Sequence, residues 1–328
     1  MLKRLGGLIF GLLLALLTAS TVSIVLLSVA AVMLLSACAV EPQPMPATTP
    51  RPTPTPVPIA DPGTIWVKPP EHMAYIWWEW SEVRDDQGNR FDEFEELVID
   101  FTVHSDVEPL GSGNGLYLIL AWGTISDLSF YFGLQTDVHA DEPPYWRGKG
   151  VIFSRWETRD LANARYPEDG WTQSAGHEGD FIGVRRLYPW GTGDYRVRMA
   201  PDETAPNDSD GVWFGLWITN MTSAETTWIG SLKFPLQDGK AVIQTWVYSA
   251  MEIYGPEIRS IDIPAWHVSM KRPVGDGGRA SWGTTGYSSF ESGLLNSEIH
   301  YDAANDVVHI QAGGTTVRRT VPGTLEFR

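Results

Sequence analysis

The sequence predicts an all-β fold, an antiparallel jelly-roll sandwich of two sheets, and three observations support this prediction. About a dozen short segments alternate apolar with polar residues, which is the period of a strand with one face in a core. Turn-forming residues separate these segments at intervals of roughly 8–15 residues, a spacing typical of sandwiches and barrels. No segment of ten residues shows convincing helical periodicity, and no repeat of fixed period is present.

The clearest strand runs from residue 128 to residue 135. One face of it is apolar and is expected in the core, and it consists of Leu128, Phe130, Phe132 and Leu134. The other face mixes polar and aromatic side chains, and it consists of Ser129, Tyr131, Gly133 and Gln135. This second face is either plain solvent-exposed sheet or a surface that receives a flat ligand.

The remaining strands are predicted by the same alternation. Residues 116–121 are apolar on both faces, which predicts a central strand. Residues 157–193 form a long aromatic and charged stretch that is either functional or contains strands of its own. Further strands are predicted at 75–80, 97–103, 150–156, 195–199, 212–219, 228–234, 242–253 and 258–270, the last broken at Pro264, with weaker ones near 282–288, 297–311 and 315–327.

The N-terminal segment is a short basic start followed by a long apolar run. Lys3 and Arg4 are the only charged residues before Cys38. Leu35-Ser-Ala-Cys38 resembles the lipobox of bacterial lipoprotein signal peptides, which implies cleavage before Cys38 and its lipidation, anchoring the chain to the cell membrane or outer membrane. The apolar run of 33 residues also exceeds the ~20 that span a bilayer, so an uncleaved signal anchor is the alternative. Both interpretations place the rest of the chain outside the cytoplasmic membrane.

A proline-rich linker follows the leader. Residues 41–63 contain nine prolines, which favour extended polyproline II over helix or sheet. At ~3.1 Å per residue, this segment reaches up to ~70 Å. The predicted organisation is a signal peptide (1–37), a lipidated cysteine with a Pro/Thr-rich linker (38–65), a jelly-roll sandwich (66–272), and C-terminal strands that complete the sandwich or are appended to it (273–328).

Composition and motifs argue against several classes of function. The formal net charge of −16 repels phosphate backbones, so no nucleic-acid partner is expected. Cys38 is the one cysteine, so the folded part has neither a disulfide nor a thiolate metal site. His177-Glu178 begins like a zinc-protease motif, but residue 181 is Phe rather than the second histidine. The seven histidines lack ligand spacing, so no metal site is predicted. The sequence also contains no serine-hydrolase elbow and no phosphate loop.

Five short motifs occur in a particular order: Tyr131-Phe-Gly-Leu-Gln135, Phe153-Ser-Arg-Trp156, His177-Glu-Gly, Tyr188-Pro-Trp-Gly and Gly193-Asp-Tyr195. In this order they resemble an uncharacterised bacterial family, domain of unknown function 3472, over roughly residues 70–270. The resemblance implies a concanavalin-like or laminin-G-like sandwich and a connection to carbohydrates, with no established activity. Glu157 and His177 stand where that family usually has aspartate and glycine.

Aromatic residues along the central strands and the loops after them predict a saccharide site. Pyranose rings present flat C–H faces that pack on Trp and Tyr, while neighbouring polar groups bind the hydroxyls. For any single Trp the alternative is a place in the core, but 15 Trp are many for a core of this size. The residues predicted to contact a polysaccharide or glycoconjugate are Trp122, Tyr131, Gln135, Trp146, Arg155, Trp156 and Trp171.

Acidic residues raise the possibilities of catalysis and of calcium binding. Glu178 is the candidate catalytic acid because it lies in a Gly-flanked loop among aromatics, and the alternative is a structural loop residue. A glycosidase needs two carboxylates, ~5–5.5 Å apart for retention or ~6.5–9.5 Å for inversion. No cofactor is expected, although the acid-rich loops at 85–92 and 207–211 are candidates for Ca²⁺. Turn chemistry alone also explains Asp and Asn in such loops.

Three functions therefore stay open at the level of sequence. The leading hypothesis is a membrane-anchored envelope lipoprotein whose β-sandwich binds carbohydrate without catalysis. The second is a glycan-cleaving enzyme of the same fold, a hydrolase or lyase that acts through Glu178. The third is a protein-interaction or structural module of the envelope.

Overall fold

The computed structural model describes residues 65–78, 84–85, 87–89, 93–176, 178–278, 280–281, 285–290 and 294–327. The signal-peptide and Cys38 predictions, and all of the linker but residue 65, lie outside these residues. Within the described ranges, no helix is long and apolar enough to cross a bilayer. Three short 3₁₀ helices occur there, at Leu161–Asn163, Ser260–Asp262 and Asp276–Gly278.

Strands make up most of the described chain. In chain order they are β1 (Trp66–Val67), β2 (Glu71–Trp78), β3 (Arg84–Asp85), β4 (Glu93–Phe94), β5 (Leu97–Val103), β6 (Gly115–Ile125), β7 (Leu128–His139), β8 (Arg147–Trp156), β9 (Ala164–Arg165), β10 (Gly170–Ala175), β11 (Phe181–Leu187), β12 (Gly193–Pro201), β13 (Gly211–Asn220), β14 (Thr226–Pro235), β15 (Ile243–Tyr254), β16 (Ile258–Arg259), β17 (Trp266–Met270), β18 (Val274–Gly275), β19 (Ala280–Ser281), β20 (Thr285–Ser289), β21 (Ser297–Asp302), β22 (Val307–Ala312) and β23 (Gly323–Glu326).

The described strands pair into two large antiparallel sheets. The front sheet has the order β10-β11-β8-β7-β6-β15-β2-β20-β23, with β4 beside β15. The back sheet has the order β21-β22-β17-β5-β12-β13-β14-β9, with β18 beside β5, β19 beside β18 and β3 beside β19. β1 and β16 form a separate two-stranded ribbon. The strands near the C terminus therefore contribute to both sheets.

One hydrophobic core joins the inner faces of the two sheets. Phe130 and Phe132 of β7 and Phe153 of β8 are fully buried, and Phe153 lies 6.4 Å, ring centroid to ring centroid, from Phe234 of the back sheet. Each such side chain contributes about 1.5–3 kcal/mol by leaving water. The all-β, antiparallel sandwich prediction is confirmed, because two antiparallel sheets share this core. The jelly-roll connection order stays a prediction.

Irregular pairing in the front sheet shapes its outer surface. The β6–β7 ladder shifts register between Ile119 and Ala121, and the β6–β15 ladder shifts between Tyr248 and Ala250. β-bulges of this kind bend a strand and increase its local twist. The bends fall in neighbouring strands at the middle of the sheet, where the outer face is hollowed.

Candidate functional site

A pocket of about 830 Å³ lies on the outer face of the front sheet, and it is called the outer pocket below. Strand alternation builds it, because the residues of β6 that face away from the core belong to the pocket. Leu118 and Leu120 point into the core, whereas Tyr117 and Ile119 line the pocket. The same division applies in β7, where Phe130 lies in the core.

Close approach of two central strands requires a glycine in β7. Gly133 of β7 is paired with Ile119 of β6 and Ile152 of β8. A Cβ atom at residue 133 would overlap the backbone carbonyl of Leu118, because the irregular β6–β7 ladder brings the two backbones close together. Glycine is therefore required there, and it allows the two central strands to approach closely beside the pocket.

Aromatic rings form one wall of the outer pocket. The indoles of Trp122 and Trp156 are within 3° of parallel, with centroids 6.0 Å apart. Tyr131, on the strand between them, meets Trp156 edge to face at 4.7 Å between centroids. Trp156 Nε1 donates a hydrogen bond of 3.1 Å to the backbone carbonyl of Glu178, which holds the ring against the following loop. All three rings are half-buried and line the cavity.

Two acids of the pocket are paired with basic groups. Glu252 of β15 contacts Nε2 of His72 on β2 at 3.0 Å. Asp137 of β7 accepts two hydrogen bonds from Arg147, at 2.8 and 2.6 Å, in a bidentate pair. Both pairs lie on neighbouring strands, so the sheet holds these carboxylates in place.

Arg185 differs from the other charged residues described for this pocket because it has no ion-pair partner among the described residues. It lies on β11 opposite Ile152 and lines the outer pocket, but its side chain makes no hydrogen bond or ion pair with any described residue. Burial lowers the pKa of its guanidinium, while electrostatic interaction with the phenol groups of Tyr131 and Tyr117 opposes that effect. The side chain is half-buried and its Nε is a buried atom without a hydrogen-bond partner, so this position favours an anionic guest.

Other polar atoms along the pocket are also buried and unpartnered in the described structure. They include the Tyr117 hydroxyl and the Gln173 side-chain carbonyl, in addition to Arg185 Nε. Burial raises the pKa of both Tyr117 and Tyr131, so their hydroxyls stay protonated and can donate. Buried polar groups normally have hydrogen-bond partners. Several such groups without partners beside one cavity therefore indicate the position of a ligand or of water.

Several residues predicted from the sequence lie together in this pocket. They are Trp122, Tyr131, Gln135, Trp156 and Glu178, of which Glu178 is at the exposed edge. The structure also adds pocket residues that the sequence reasoning missed, namely His72, Tyr117, Gln173, Arg185 and Glu252. Gln173 and Arg185 fall in the long stretch that was not divided into strands, although Ile182 and Val184 show the period of a strand there.

Trp146 and Trp171 were predicted with the same set, but they form a separate cluster. Their rings contact each other with centroids 5.5 Å apart. Both line a second cavity of about 480 Å³ that shares Gln173 with the outer pocket. This neighbouring cavity extends the polar and aromatic surface toward β10.

Arg155 requires a correction, because its side chain is on the other side of the sheet. It is 6 % exposed, and its guanidinium carbon is 5.3 Å from the ring centroid of Phe234, inside the sandwich. Burial there lowers the pKa of Arg155 to about 10. Arg155 is therefore absent from the lining of the outer pocket, in contrast to the prediction.

The acid-rich loops show turn chemistry and ion pairs where they are described. The Asp85 carboxylate accepts hydrogen bonds from the backbone of Gln87 and Asn89 at 3.0 and 2.8 Å. The Asp208 carboxylate accepts from Trp213 Nε1 at 2.7 Å and contacts Lys233 Nζ at 3.0 Å. In the described part of the chain, the group of three side chains placed to hold a metal lies elsewhere, at three histidines of the back sheet.

Comparisons with known proteins give only distant likenesses. No family model matches the chain, and no curated protein matches it. Two crystal structures of Scytalido-glutamic peptidase, each with a transition-state analogue, resemble it at 11 % identity with TM-scores of 0.36 and 0.35. Each likeness covers 75 % of this chain and 100 % of the peptidase chain. Likeness at this level assigns neither an activity nor site residues to this chain.

Proposed function

We propose that this protein binds a saccharide in the outer pocket of its front sheet. The proposal rests on one observation: flat aromatic rings and polar atoms without hydrogen-bond partners line the same cavity. Trp122, Tyr131 and Trp156 supply apolar faces that suit the C–H faces of sugar rings, and Tyr117 and Gln173 supply unpartnered groups that suit hydroxyls.

The position of these aromatics supports a binding role over a packing role. The core lies on the opposite side of the front sheet, and it contains other aromatics such as Phe132 and Phe153. Tyr117, Ile119 and Tyr248 form a distinct outer cluster on which Trp122 and Tyr131 pack. Aromatic surface that neither fills the core nor is sealed by another layer is typical of a binding face.

Arg185 favours a saccharide that carries an acidic group. Its guanidinium has no acidic partner among the described residues, and a carboxylate or sulfate on a sugar would supply one. Uronic acids and sulfated sugars combine such a group with the flat ring face that Trp156 and Trp122 suit. The pocket residues thus support an acidic polysaccharide or glycoconjugate as the ligand class.

Affinity electrophoresis and a glycan array with the full chain test this proposal. The wild type should be retarded by at least one acidic polysaccharide, and Trp156→Ala should lose roughly 5- to 30-fold in affinity, the equivalent of one or two kcal/mol. Trp66→Ala is the matched control, since Trp66 is 60 % exposed and outside the pocket lining. Absence of binding across neutral and acidic glycans would contradict the proposal.

One observation favours a second function, glycan cleavage. Glu178 and Glu252 both line the outer pocket and come from different elements, so two carboxylates face one cavity. A glycosidase requires such a pair. Release of reducing ends from a bound glycan, abolished in both Glu178→Gln and Glu252→Gln, would establish this function. Binding without any release would leave the protein a lectin-like module.

The cellular setting of this proposal rests on the sequence. We propose that Cys38 is lipidated and that the proline-rich segment holds a jelly-roll sandwich of concanavalin or laminin-G type away from the envelope membrane. Incorporation of radiolabelled palmitate, lost in Cys38→Ser, tests the anchor. A pull-down that recovers a protein partner without competition by sugars would instead support the protein-interaction alternative.

A further inference from the structure

Three histidines converge on the outer face of the back sheet, far apart in sequence. His104 follows β5, His267 lies on β17 and His309 lies on β22, which are adjacent strands in the order β22-β17-β5. One ring nitrogen from each lies within 4.8 Å of the other two. These residues are called the histidine cluster below.

Direct contacts within the histidine cluster are close. His267 Nε2 lies 2.9 Å from His309 Nδ1, and the His104 ring stacks on the His267 ring with centroids 4.2 Å apart. His104 Nε2 is 2.8 Å from the Ser269 hydroxyl, which restrains that ring. His300, a fourth histidine, stacks on His309 at 4.7 Å.

The histidine cluster has no evident part in the core, which lies on the opposite face of this sheet. Imidazole nitrogens are common metal ligands, and three of them come together here from neighbouring parts of one sheet.

We propose that His104, His267 and His309 bind one divalent transition-metal ion, Zn²⁺ being the best match. Zn–N distances of about 2.0–2.1 Å place tetrahedral ligand nitrogens about 3.3 Å apart, which falls within the present spacing of up to 4.8 Å once the rings turn toward a common centre. Three protein ligands leave the fourth position for water or for a partner's ligand.

The imidazole ligands favour transition-metal ions over Ca²⁺ and Mg²⁺. Ca²⁺ and Mg²⁺ take oxygen ligands, and the three ligands here are imidazoles, which suit Zn²⁺, Cu²⁺ and Ni²⁺. Because the ligands come from β17, from β22 and from the residue that follows β5, a bound ion would link three neighbouring parts of the back sheet. An ion that binds only the folded chain raises its unfolding temperature.

Calorimetric titration of the chelator-treated full chain with ZnCl₂ tests the proposal. We expect one ion per chain and a higher unfolding temperature in ZnCl₂. His309→Ala should weaken binding by at least about 10–100-fold, since loss even of groups that only orient ligands costs that much. His104→Gln should weaken binding too, and because His104 is exposed it leaves the fold intact. His139→Ala, which removes a histidine outside the cluster, should leave Zn²⁺ affinity unchanged.

Three results would overturn this proposal. The first is a wild-type chain that binds no Zn²⁺, Cu²⁺ or Ni²⁺. The second is unchanged Zn²⁺ affinity in His104→Gln, which would show that any bound ion sits elsewhere. Circular dichroism in chelator establishes that each variant is folded before its affinity is compared. Tight binding of CaCl₂ at the same stoichiometry, insensitive to His104→Gln, would also contradict a nitrogen site.

Discussion

The indole planes of Trp122 and Trp156 are parallel to within 3° although a whole strand, β7, separates the strands that carry them. Tyr131 of β7 meets both rings edge to face, with its centroid 6.2 Å from that of Trp122 and 4.7 Å from that of Trp156. The three residues therefore act as one packed unit on the pocket wall. A guest that contacts one ring depends on the orientation of the others.

This packing predicts that the two tryptophans contribute to ligand affinity in a coupled manner. Trp122→Ala and Trp156→Ala should each weaken saccharide binding, and the double variant should lose less than the sum, with a coupling of about 0.5–1.5 kcal/mol. Calorimetric titration with the best glycan from the array measures the cycle. Trp122→Ala combined with Trp66→Ala should be additive, whereas additivity for the Trp122 and Trp156 pair would contradict the shared unit.

Replacement of Arg185 should stabilise the fold and weaken the binding of acidic saccharides. Replacement of a half-buried cation without an acidic partner by an apolar side chain removes its partial desolvation cost, so Arg185→Met should raise the free energy of unfolding by about 1 kcal/mol. The same variant should lose affinity for acidic saccharides more than for neutral ones. Urea unfolding and glycan titration measure the two effects.

The adjacent residue supplies the matched control for that experiment. Arg186 donates to Asp169 at 3.1 and 2.7 Å and to the carbonyl of Trp228 at 2.6 Å. Arg186→Met should therefore lower the free energy of unfolding by about 1–3 kcal/mol. Equal destabilisation by both variants would mean that the Arg185 guanidinium is satisfied in solution.

Asp202 should make stability depend on acid pH. Burial alone would raise the pKa of this carboxyl, but hydrogen bonds from Ser231 and Thr204 and the charge of Arg165 outweigh burial and lower it. The Arg165 contact is 2.7 Å. Because the folded pKa lies below the unfolded one, the stabilisation is complete above about pH 4 and is lost as the pH falls through the folded pKa.

Asp202→Asn should consequently unfold more easily at neutral pH, by about 1–3 kcal/mol, and should show a shallower loss of stability below about pH 4. Urea titrations at several pH values measure both quantities. Asp238→Asn, on an exposed loop, is the control and should match the wild type. An unchanged pH profile in Asp202→Asn would contradict this account of the carboxylate.

Gly133 should tolerate no side chain. Gly133→Ala should lower the free energy of unfolding by about 1–3 kcal/mol, because the added methyl group overlaps the Leu118 carbonyl and the two strands must separate. Gly111→Ala is the control, since nothing lies within 4 Å of a Cβ there. Thermal unfolding compares the two, and a neutral Gly133→Ala would mean that the β6–β7 pairing relaxes without cost.

The strand positions were predictable because alternate burial leaves a local signature. Residues 97–103 were predicted as a strand and form β5, and the strand predicted at 128–135 lies within β7. The prediction that Arg155 contacts the ligand was wrong, although the strand period indicates its true position. It follows Phe153 by two residues in β8, so the period of two puts it on the same, inner face.

What sequence could not predict was the arrangement of strands that are distant along the chain. His72 and Glu252 meet because β2 pairs with β15, and nothing local to either residue indicates this partner. The histidine cluster was missed for the same reason, since its three residues are far apart in sequence and show no ligand spacing along any one strand. Sheet order, rather than strand position, determines both sites.

The position of β2 in the chain matters during translation. It is among the first strands of the described chain, yet its two sheet neighbours, β15 and β20, begin at Ile243 and Thr285. A nascent chain would carry Ile76 and Trp78, which are fully buried in the finished protein, with both strand edges open for most of translation. Such edges attract other chains. Truncations that end before β15 should therefore aggregate rather than yield a smaller soluble fragment.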